Sequence, residues 1–282
     1  MARFIRPSFS APLWVARVAW VALALIPNGI AATLASHGRT AQLVFTLGAW
    51  ALWALGTLAI FWLSPYSLSA LRMVAPLATT GLVGFVFASL STYADVAVGD
   101  VAWSLVGVAV GVLALVCIFL PAFGLLHVQA SAYGDEKRLL LRVPAAQIAP
   151  IAVSYTVMAA FPVATLFAVS AEVWWLAALC LVPTVLIFRV VPKRLHRFSR
   201  RWLVVVPAGV VVHDELLLAE TFMVRTTAVT RVELSATSGE ALNLTGDAAG
   251  VRRHMVLIVQ LREAEKLALS PYLAKMLGTL DA

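Results

Sequence analysis

Long runs of apolar residues alternate with short polar or charged segments over most of the chain before residue 192. A helix needs about 20 apolar residues to cross the hydrocarbon core of a bilayer. Six runs meet or approach that length, which predicts a polytopic α-helical membrane protein with about six transmembrane helices. The predicted spans are Leu13–Leu34, Ala41–Leu63, Leu71–Leu90, Val101–Leu126, Ile148–Val169 and Val173–Val191.

The pattern changes after Arg201, where short runs rich in valine and leucine replace the long apolar stretches. Polar or glycine-containing breaks separate these runs, and such spacing is typical of a small β-barrel or sandwich. The predicted strands are Trp202–Val206, Val210–His213, Leu216–Val224, Ala228–Leu234, Leu242–Thr245 and Met255–Leu261, followed by a helix over Leu267–Leu280.

These patterns predict three segments: a transmembrane helical bundle over residues 1–191, a juxtamembrane polybasic segment over 192–201 and a β-rich domain over 202–282. The loop from His127 to Pro150 is the other segment long enough to fold. It holds a turn-like cluster, Gly134–Lys137, followed by the apolar run Leu139–Val143. This order predicts a short hairpin within the loop.

The composition excludes most soluble classes. Of the 282 residues, 62% are hydrophobic and 12% are charged, and the mean hydropathy is +0.93. Globular chains are about 45–50% apolar and about 25% charged. An ordinary cytosolic enzyme, a disordered chain and a disulfide scaffold are therefore excluded. Cys117 and Cys180 both lie inside apolar runs without ligand-spaced partners, so neither a disulfide framework nor a metal site is expected.

The positive charge belongs to the membrane half. Residues 1–201 hold 14 Lys/Arg against 5 Asp/Glu, whereas residues 202–282 hold 7 against 9. Basicity is therefore no argument for binding nucleic acid. Twelve cations fall on one side of the predicted spans and Arg39 alone on the other, with Arg17 near enough to the first helix end to reach the larger group. Because cytoplasmic loops carry the excess of Lys and Arg, both termini are expected in the cytoplasm, with the chain in the plasma (inner) membrane.

Two interpretations of the N-terminus remain open. Its basic start and apolar stretch, ending at Thr33-Leu34-Ala35, also fit a cleaved signal peptide. The stretch is longer than a typical signal core and contains Pro27-Asn28-Gly29, which favours a retained first helix. The orientation of the remaining spans is the same in either case.

A strand–turn–strand pattern follows the last predicted span, where residues 200–214 read RRWLVVVPAGVVVHD. This run resembles the opening hairpin of uncharacterised actinobacterial multi-pass membrane proteins. Its layout, with strands that follow a membrane anchor, is similar to bacterial pleckstrin-homology-like (PH-like) domains. The resemblance covers about a third of the chain and implies a PH-like fold without implying an activity.

A cluster of cations directly after the last span is the strongest local signal. Such clusters are attracted to anionic lipid headgroups by about 1 kcal/mol per basic residue. The cluster therefore predicts lipid-headgroup contact, and the alternative is a stop-transfer flank that only fixes topology. The predicted contact residues are Arg189, Lys193, Arg194, Arg197, Arg200 and Arg201.

Small residues and prolines mark two further features of the spans. Gly107 and Gly111 in the fourth span allow close helix approach, either within the chain or between two copies in a homo-oligomer. Prolines interrupt several spans, as in transporters with discontinuous helices. Matching interruptions in two halves of the chain are not evident.

Candidate catalytic groups are few. No Asp, Glu, Lys or His lies at mid-depth in a predicted span, which argues against proton relays. His213-Asp214 has the composition of a metal-phosphohydrolase dyad, but no other histidine stands at useful spacing, so a polar strand end is the simpler reading. Asn243-Leu244-Thr245 fits the glycosylation pattern but falls on the predicted cytoplasmic side. No catalytic residue, metal or cofactor is predicted.

These observations favour a non-enzymatic integral membrane scaffold or adaptor. Its β domain would bind a protein partner, or the anionic headgroups of membrane lipids, within a membrane complex. The alternative from another class is a small-molecule or lipid transporter that uses the helical bundle. A membrane enzyme acting on lipid-linked substrates is the third reading, and Asp135, Glu136 and His127 are the only grouped candidates for it in the inner loops.

Overall fold

The computed structural model describes residues 10–25, 38–91, 98–143, 145–236, 255–263 and 268–271. Within these ranges, helices dominate the first two hundred residues and strands the rest. The helices are α1 (Ala11–Ala22), α2 (Arg39–Phe61), α3 (Pro65–Ser91), α4 (Val98–Phe119), α5 (Pro121–Gln129), α6 (Ala145–Ser170) and α7 (Trp174–Ser199). The strands are β1 (Lys137–Leu140), β2 (Trp202–Val206), β3 (Gly209–His213), β4 (Phe222–Arg225), β5 (Val229–Ala236) and β6 (Met255–Leu261).

Five of the described helices, α2, α3, α4, α6 and α7, are long and apolar enough to cross a membrane. The prediction of a polytopic helical protein with a small antiparallel sheet region near its C-terminus is therefore confirmed. Of the predicted first span, Leu13–Leu34, the described part contains the 12-residue helix α1 and a turn that reaches residue 25. The rest of that span lies outside the described residues.

The third span begins earlier than predicted, at Pro65 instead of Leu71. Ser64 and Ser67 explain this start because each hydroxyl accepts a hydrogen bond from the other residue's backbone N–H, at 3.1 and 3.0 Å. Reciprocal bonds of this kind satisfy the free donors at a helix start. Proline is also favoured in the first helical position, where its missing N–H costs nothing.

The fourth span is shorter than predicted because the helix divides at Leu120. α4 ends at Phe119 and Pro121 begins the separate helix α5, so the predicted single span Val101–Leu126 is wrong at its end. Proline has no backbone N–H to donate to the preceding turn and starts a new helix instead. His127, predicted in the loop, lies in the last turn of α5.

The last helix continues beyond the predicted span. α7 reaches Ser199 and passes through Pro183 and Pro192. The predicted polybasic segment 192–201 is therefore mostly helical, and its cations occupy defined positions around the helix.

The described chain divides into two compact units. The helical unit comprises Met1–His127 and Val153–Arg194, and the sheet unit comprises Val128–Ala152 and Leu195–Ala282.

In the helical unit, hydrogen bonds from two indole rings join α1 to α2. Trp20 Nε1 donates to the Trp53 carbonyl at 3.0 Å, and Trp53 Nε1 donates to the Trp20 carbonyl at 3.1 Å. These bonds give both indole N–H groups an acceptor, which an apolar bundle offers only through its own backbone or side chains. Gly56 leaves the room for this contact, because a Cβ atom there would overlap the Trp20 ring.

A second contact of the helical unit joins α2, α3 and α6 through three phenylalanines. Phe45, Phe85 and Phe167 have ring centroids 5.1 to 5.4 Å apart in edge-on or tilted arrangements. Such geometry is favoured by the charge distribution of aromatic rings. Phe45 lies near the start of α2, and Phe85 and Phe167 lie near the ends of their helices, so the antiparallel order of α2 and α3 brings these rings together.

In the sheet unit, the order of the four-stranded antiparallel sheet is β1-β2-β3-β4, and β5 pairs with β6 in a two-stranded sheet. β2 and β3 form the predicted hairpin, with Trp202 opposite His213 and Val206 opposite Gly209. Gly209 is required at the turn, because a Cβ atom there would overlap the Val224 carbonyl of β4.

The loop between α5 and α6 differs from the predicted hairpin. Its single described strand, β1, pairs with β2 in a register that places Lys137 opposite Val205 and Leu140 opposite Trp202. β2, which follows the last helix, has a longer apolar run for β1 to pair with than any part of this short loop.

Two predicted elements fall where little is described. The strand Leu242–Thr245, with the Asn243 glycosylation pattern, lies outside the described residues. Of the predicted helix Leu267–Leu280, residues 268–271 are described, and Leu269 forms an isolated bridge with Leu218.

Candidate functional site

Four cations on the last turns of α7 are exposed: Arg189, Lys193, Arg194 and Arg197. At 3.6 residues per turn they fall within about 140° of the helix circumference. We call these four residues the cationic face. These four residues therefore place positive charge on one side of the helix.

The cationic face continues an apolar strip of the same helix. Val182 and Leu186 are 62% and 58% exposed, and their positions lie in line with Arg189 and Lys193 around the helix axis. The exposed side of α7 therefore changes from apolar to cationic along the helix axis. The rise from residue 189 to residue 197 is about 12 Å.

Arg200, also predicted to contact headgroups, pairs instead with a carboxylate of the sheet unit. Its Nη1 lies 3.1 Å from Glu215 Oε1, and Arg197 Nε lies 3.9 Å from Glu215 Oε2. The Arg197 side chain remains 62% exposed, whereas that of Arg200 is 33% exposed. Arg197 is therefore available to a further anion, and Arg200 is largely occupied by Glu215.

Arg201 lies in the interior of the sheet unit. Its Nη2 is 2.8 Å and its Nε 2.9 Å from Asp214 Oδ2, and Nη1 donates to the Arg142 carbonyl at 3.2 Å. The side chains of Arg201 and Asp214 are 5% and 1% exposed. The predicted headgroup contact of Arg201 does not fit this position, because its guanidinium is buried and bonds to Asp214 and to the Arg142 carbonyl.

His213 stands at the end of β3 in a polar cluster. Its ring stacks on Trp202 with centroids 5.1 Å apart, Nδ1 is 3.1 Å from Thr221 Oγ1, and Nε2 is 3.7 Å from Glu215 Oε1. Burial lowers the pKa of the imidazole, and Arg200 lowers it further against the opposing effects of Glu215 and Asp214.

Hydroxyl, imidazole and carboxylate are the groups of a catalytic triad. Here, however, the carboxylate of Glu215 is beyond hydrogen-bond distance of the His213 ring and is held by Arg200. The arrangement is an ion-pair cluster at the end of a strand.

A second polar network holds the loop that supplies β1. Gln129 Nε2 donates to the Glu136 carbonyl at 2.9 Å, and the Arg138 backbone N–H donates to Gln129 Oε1 at 2.8 Å. Arg138 Nη2 lies 3.0 Å from Glu136 Oε2, and its hydrogen bond holds the pKa of that carboxyl below its usual range. Asp135 and Glu136 thus belong to a turn, and Glu136 serves to position β1.

The two glycines predicted to pack helices are both buried on α4. A Cβ atom at Gly111 would lie 3.2 Å from Leu82 Cδ1 and 3.5 Å from Thr79 Oγ1, both on α3. Gly111 therefore faces α3 of the same chain. A role of either glycine in joining two copies stays a prediction.

Sequence reasoning did not identify a polar cluster in the helical unit, formed by Arg17, Arg72 and His127. Arg17 Nε donates to the Ile60 carbonyl at 3.3 Å, and Arg72 and Arg17 both act electrostatically on the His127 ring. The signal for it was available: each arginine interrupts an apolar run, and His127 follows another. No local sequence pattern could show that these three side chains lie close together.

The possible metal ligands are dispersed. Within the part of the chain that the structure describes, no three His, Cys, Asp or Glu side chains come close enough to hold a metal ion. Cys117 and Cys180 are buried free thiols. No protein family, curated protein or solved structure matches the chain in comparisons with known proteins.

Proposed function

We propose that this chain is a non-enzymatic integral membrane scaffold whose cationic face binds anionic lipid headgroups and thereby anchors the sheet unit at the cytoplasmic surface of the plasma membrane. The observation that carries the proposal is the change along one side of α7, from exposed Val182 and Leu186 to exposed Arg189, Lys193 and Arg197. A helix that only needed to stop in the membrane could distribute its cations around the axis.

The magnitude of the attraction supports a measurable preference. Four basic residues near an anionic surface contribute about 1 kcal/mol each. Their combined effect is at most about 4 kcal/mol, which corresponds to about a thousandfold preference for anionic over zwitterionic lipid. Because the four side chains are exposed, salt screens this attraction and reduces the preference.

The test replaces Arg189, Lys193, Arg194 and Arg197 with glutamine. The variant and the unaltered protein are reconstituted in nanodiscs with mixed phosphatidylglycerol and phosphatidylcholine, and co-purifying lipids are counted by native mass spectrometry. We expect the unaltered protein to enrich phosphatidylglycerol and the variant to lose at least tenfold of that enrichment. Amide exchange of β2 to β4 in the same nanodiscs should become faster in the variant.

The matched control removes the same number of exposed cations elsewhere. Lys137, Arg225, Arg231 and Arg262 are exposed residues of the sheet unit, and their replacement with glutamine changes the net charge equally. Equal loss of lipid enrichment in both variants would show a general charge effect and refute the assignment to α7. A scaffold that binds a protein partner predicts a different result. Amide exchange of the sheet unit would then be unchanged in both glutamine variants, and both would retain the partner.

A further inference from the structure

The turn that follows β3 holds a carboxylate against the end of α7. β2 and β3 pair with Trp202 opposite His213, and in an antiparallel pair the residues before one strand position lie opposite the residues after its partner. Continued for two residues, this register places Arg200 opposite Glu215. The ion pair between them, with 3.1 Å from Arg200 Nη1 to Glu215 Oε1, is therefore a product of the hairpin.

The backbone of this turn is held in place, although the Glu215 side chain is partly exposed. The Asp214 carboxylate accepts a hydrogen bond from the Leu216 N–H at 3.1 Å, and the Asp214 carbonyl accepts one from the Leu218 N–H at 2.9 Å. The Glu215 carboxylate thus starts from a fixed backbone position, and rotation of its side chain alone separates it from Arg200.

Arg200 lies on the side of α7 that carries the cationic face. The helical turn continues past Ser199, because the Arg200 N–H donates to the Arg197 carbonyl at 3.2 Å. At 3.6 residues per turn, position 200 falls between Arg189 and Lys193 around the helix axis. Released from Glu215, Arg200 would therefore be a fifth member of the cationic face.

Two arginines share the Glu215 carboxylate. Arg200 Nη1 is within hydrogen-bond distance of it, whereas Arg197 Nε lies 3.9 Å from Oε2 and is held by charge alone. His213 Nε2 is the third neighbour, at 3.7 Å from Oε1. Burial and the charge of Arg200 lower the pKa of this imidazole, so at neutral pH the two arginines supply the positive charge around Glu215.

Glu215 and a lipid headgroup compete for these arginines on nearly equal terms. An ion pair between partly exposed side chains stabilises a protein only weakly, and one basic residue near an anionic surface gains a similar amount. A phosphate presents more oxygens than a carboxylate, and a guanidinium can bond two of them at once. A headgroup that reaches exposed Arg197 can therefore also take Arg200 from Glu215 at little cost.

We propose that Glu215 is an autoinhibitory group of the cationic face: its carboxylate holds Arg200, and partly Arg197, until the phosphate of an anionic phospholipid replaces it. Lipid binding and opening of the Arg200–Glu215 pair are then linked, so each favours the other. This inference rests on the proposed function, because it concerns the regulation of the same side of α7.

The experiment measures phosphatidylglycerol enrichment by native mass spectrometry of the full-length protein from nanodiscs of mixed phosphatidylglycerol and phosphatidylcholine. Glu215→Gln removes the competing charge and should raise the enrichment about two- to fivefold, because the released arginine gains its attraction to the surface. Glu220→Gln is the matched control, since it removes the same charge from an exposed side chain of the same unit. We expect the control to raise the enrichment much less.

A cycle of combined variants assigns the gain to the arginines. When Arg197 and Arg200 are both replaced with glutamine, Glu215 has no arginine to hold. Adding Glu215→Gln to that variant should then raise the enrichment no more than adding Glu220→Gln does. Amide exchange of β2 and β3 shows that each variant keeps the hairpin.

Two outcomes would overturn the proposal: an equal rise in enrichment for Glu215→Gln and Glu220→Gln, or a gain from Glu215→Gln that persists without the two arginines. Either outcome leaves the loss of enrichment in the four-glutamine variant in place, so the proposed function would stand. Failure of the proposed function gives a different result, in which the four-glutamine variant and its matched control lose enrichment equally, and it would remove the basis of both proposals.

Discussion

The buried pair of Arg201 and Asp214 is a residue-scale feature with a large energetic consequence. Removing two charges from water costs several kcal/mol per ion, and close geometry with additional hydrogen bonds is needed to offset that cost. Both are present: Asp214 Oδ2 lies within 2.9 Å of two Arg201 nitrogens, and Asp214 Oδ1 accepts from the Leu216 backbone N–H at 3.1 Å. Each charge therefore depends on the other.

We expect Asp214→Asn to destabilise the sheet unit by about 3–5 kcal/mol, because the Arg201 charge would remain buried without a counterion. Amide-exchange protection of β2 and β3 measures the effect. Glu215→Gln removes the same charge from the adjacent, 34% exposed side chain and should cost no more than about 1 kcal/mol. Similar protection in the two variants would contradict the distinction.

Sequence could predict the cations of this region but not their different surroundings. Arg200 and Arg201 are adjacent and identical in type, and charge counting treats them alike. The difference arises from strand register: Trp202 lies opposite His213, so the residue before Trp202 is placed near the residue after His213. That pairing is a property of the folded hairpin, and no local composition reports it.

At the scale of elements, α1 and α2 depend on one close approach. The Trp20 indole occupies the space over Gly56, and reciprocal bonds between Trp20 and Trp53 follow from that closeness. Any side chain at position 56 must displace the ring, and both N–H groups then lose their acceptors in apolar surroundings.

We expect Gly56→Ala to lower the free energy of unfolding of the helical unit by about 1–3 kcal/mol through overpacking. Thermal unfolding in detergent, followed by tryptophan fluorescence, measures the change. Gly48→Ala is the control on the same helix, because a Cβ atom there meets no atom within 4 Å. The packing argument fails if the two alanine variants unfold at the same temperature.

The elements that sequence predicted well are those with a local cause. Apolar runs of bilayer length gave five described spans, and valine-rich runs gave β2 and β3. The start of α3 at Pro65 and the division at Pro121 have local causes too, and length-based span prediction overlooked them. β1 was not predicted as a partner of β2, because the pairing joins segments on either side of α6 and α7.

For the whole molecule, the uneven distribution of Lys and Arg is the feature that predicts which side of the membrane is cytoplasmic. The contacts of the helical unit agree on which helix ends meet: Arg17 near the start of α1 contacts the end of α2, and Arg72 near the start of α3 contacts the end of α4. These contacts show which helix ends lie together, but they do not show which side of the membrane is cytoplasmic. The distribution of Lys and Arg supplies a prediction of that side, which labelling can test.

We expect a membrane-impermeant thiol reagent to label Ala171→Cys in intact cells and to leave Arg225→Cys unlabelled until the membrane is permeabilised. Both substitutions are made after Cys117 and Cys180 are replaced with alanine. Position 171 precedes α7 in the connection from α6, and position 225 ends β4; both are exposed. Labelling of position 225 in intact cells would reverse the assigned sides.

The pairing of β1 with β2 has a consequence for how the protein is made. The ribosome releases β1 first, and its neighbour in the sheet emerges only after two further helices have been delivered to the translocon. Until then β1 is an open edge that any other extended chain could occupy. The four-stranded sheet can therefore be completed only after α6 and α7 have been synthesised. A fragment that begins at Leu195 would lack β1, so β2 would be an unpaired edge strand and the fragment would tend to aggregate.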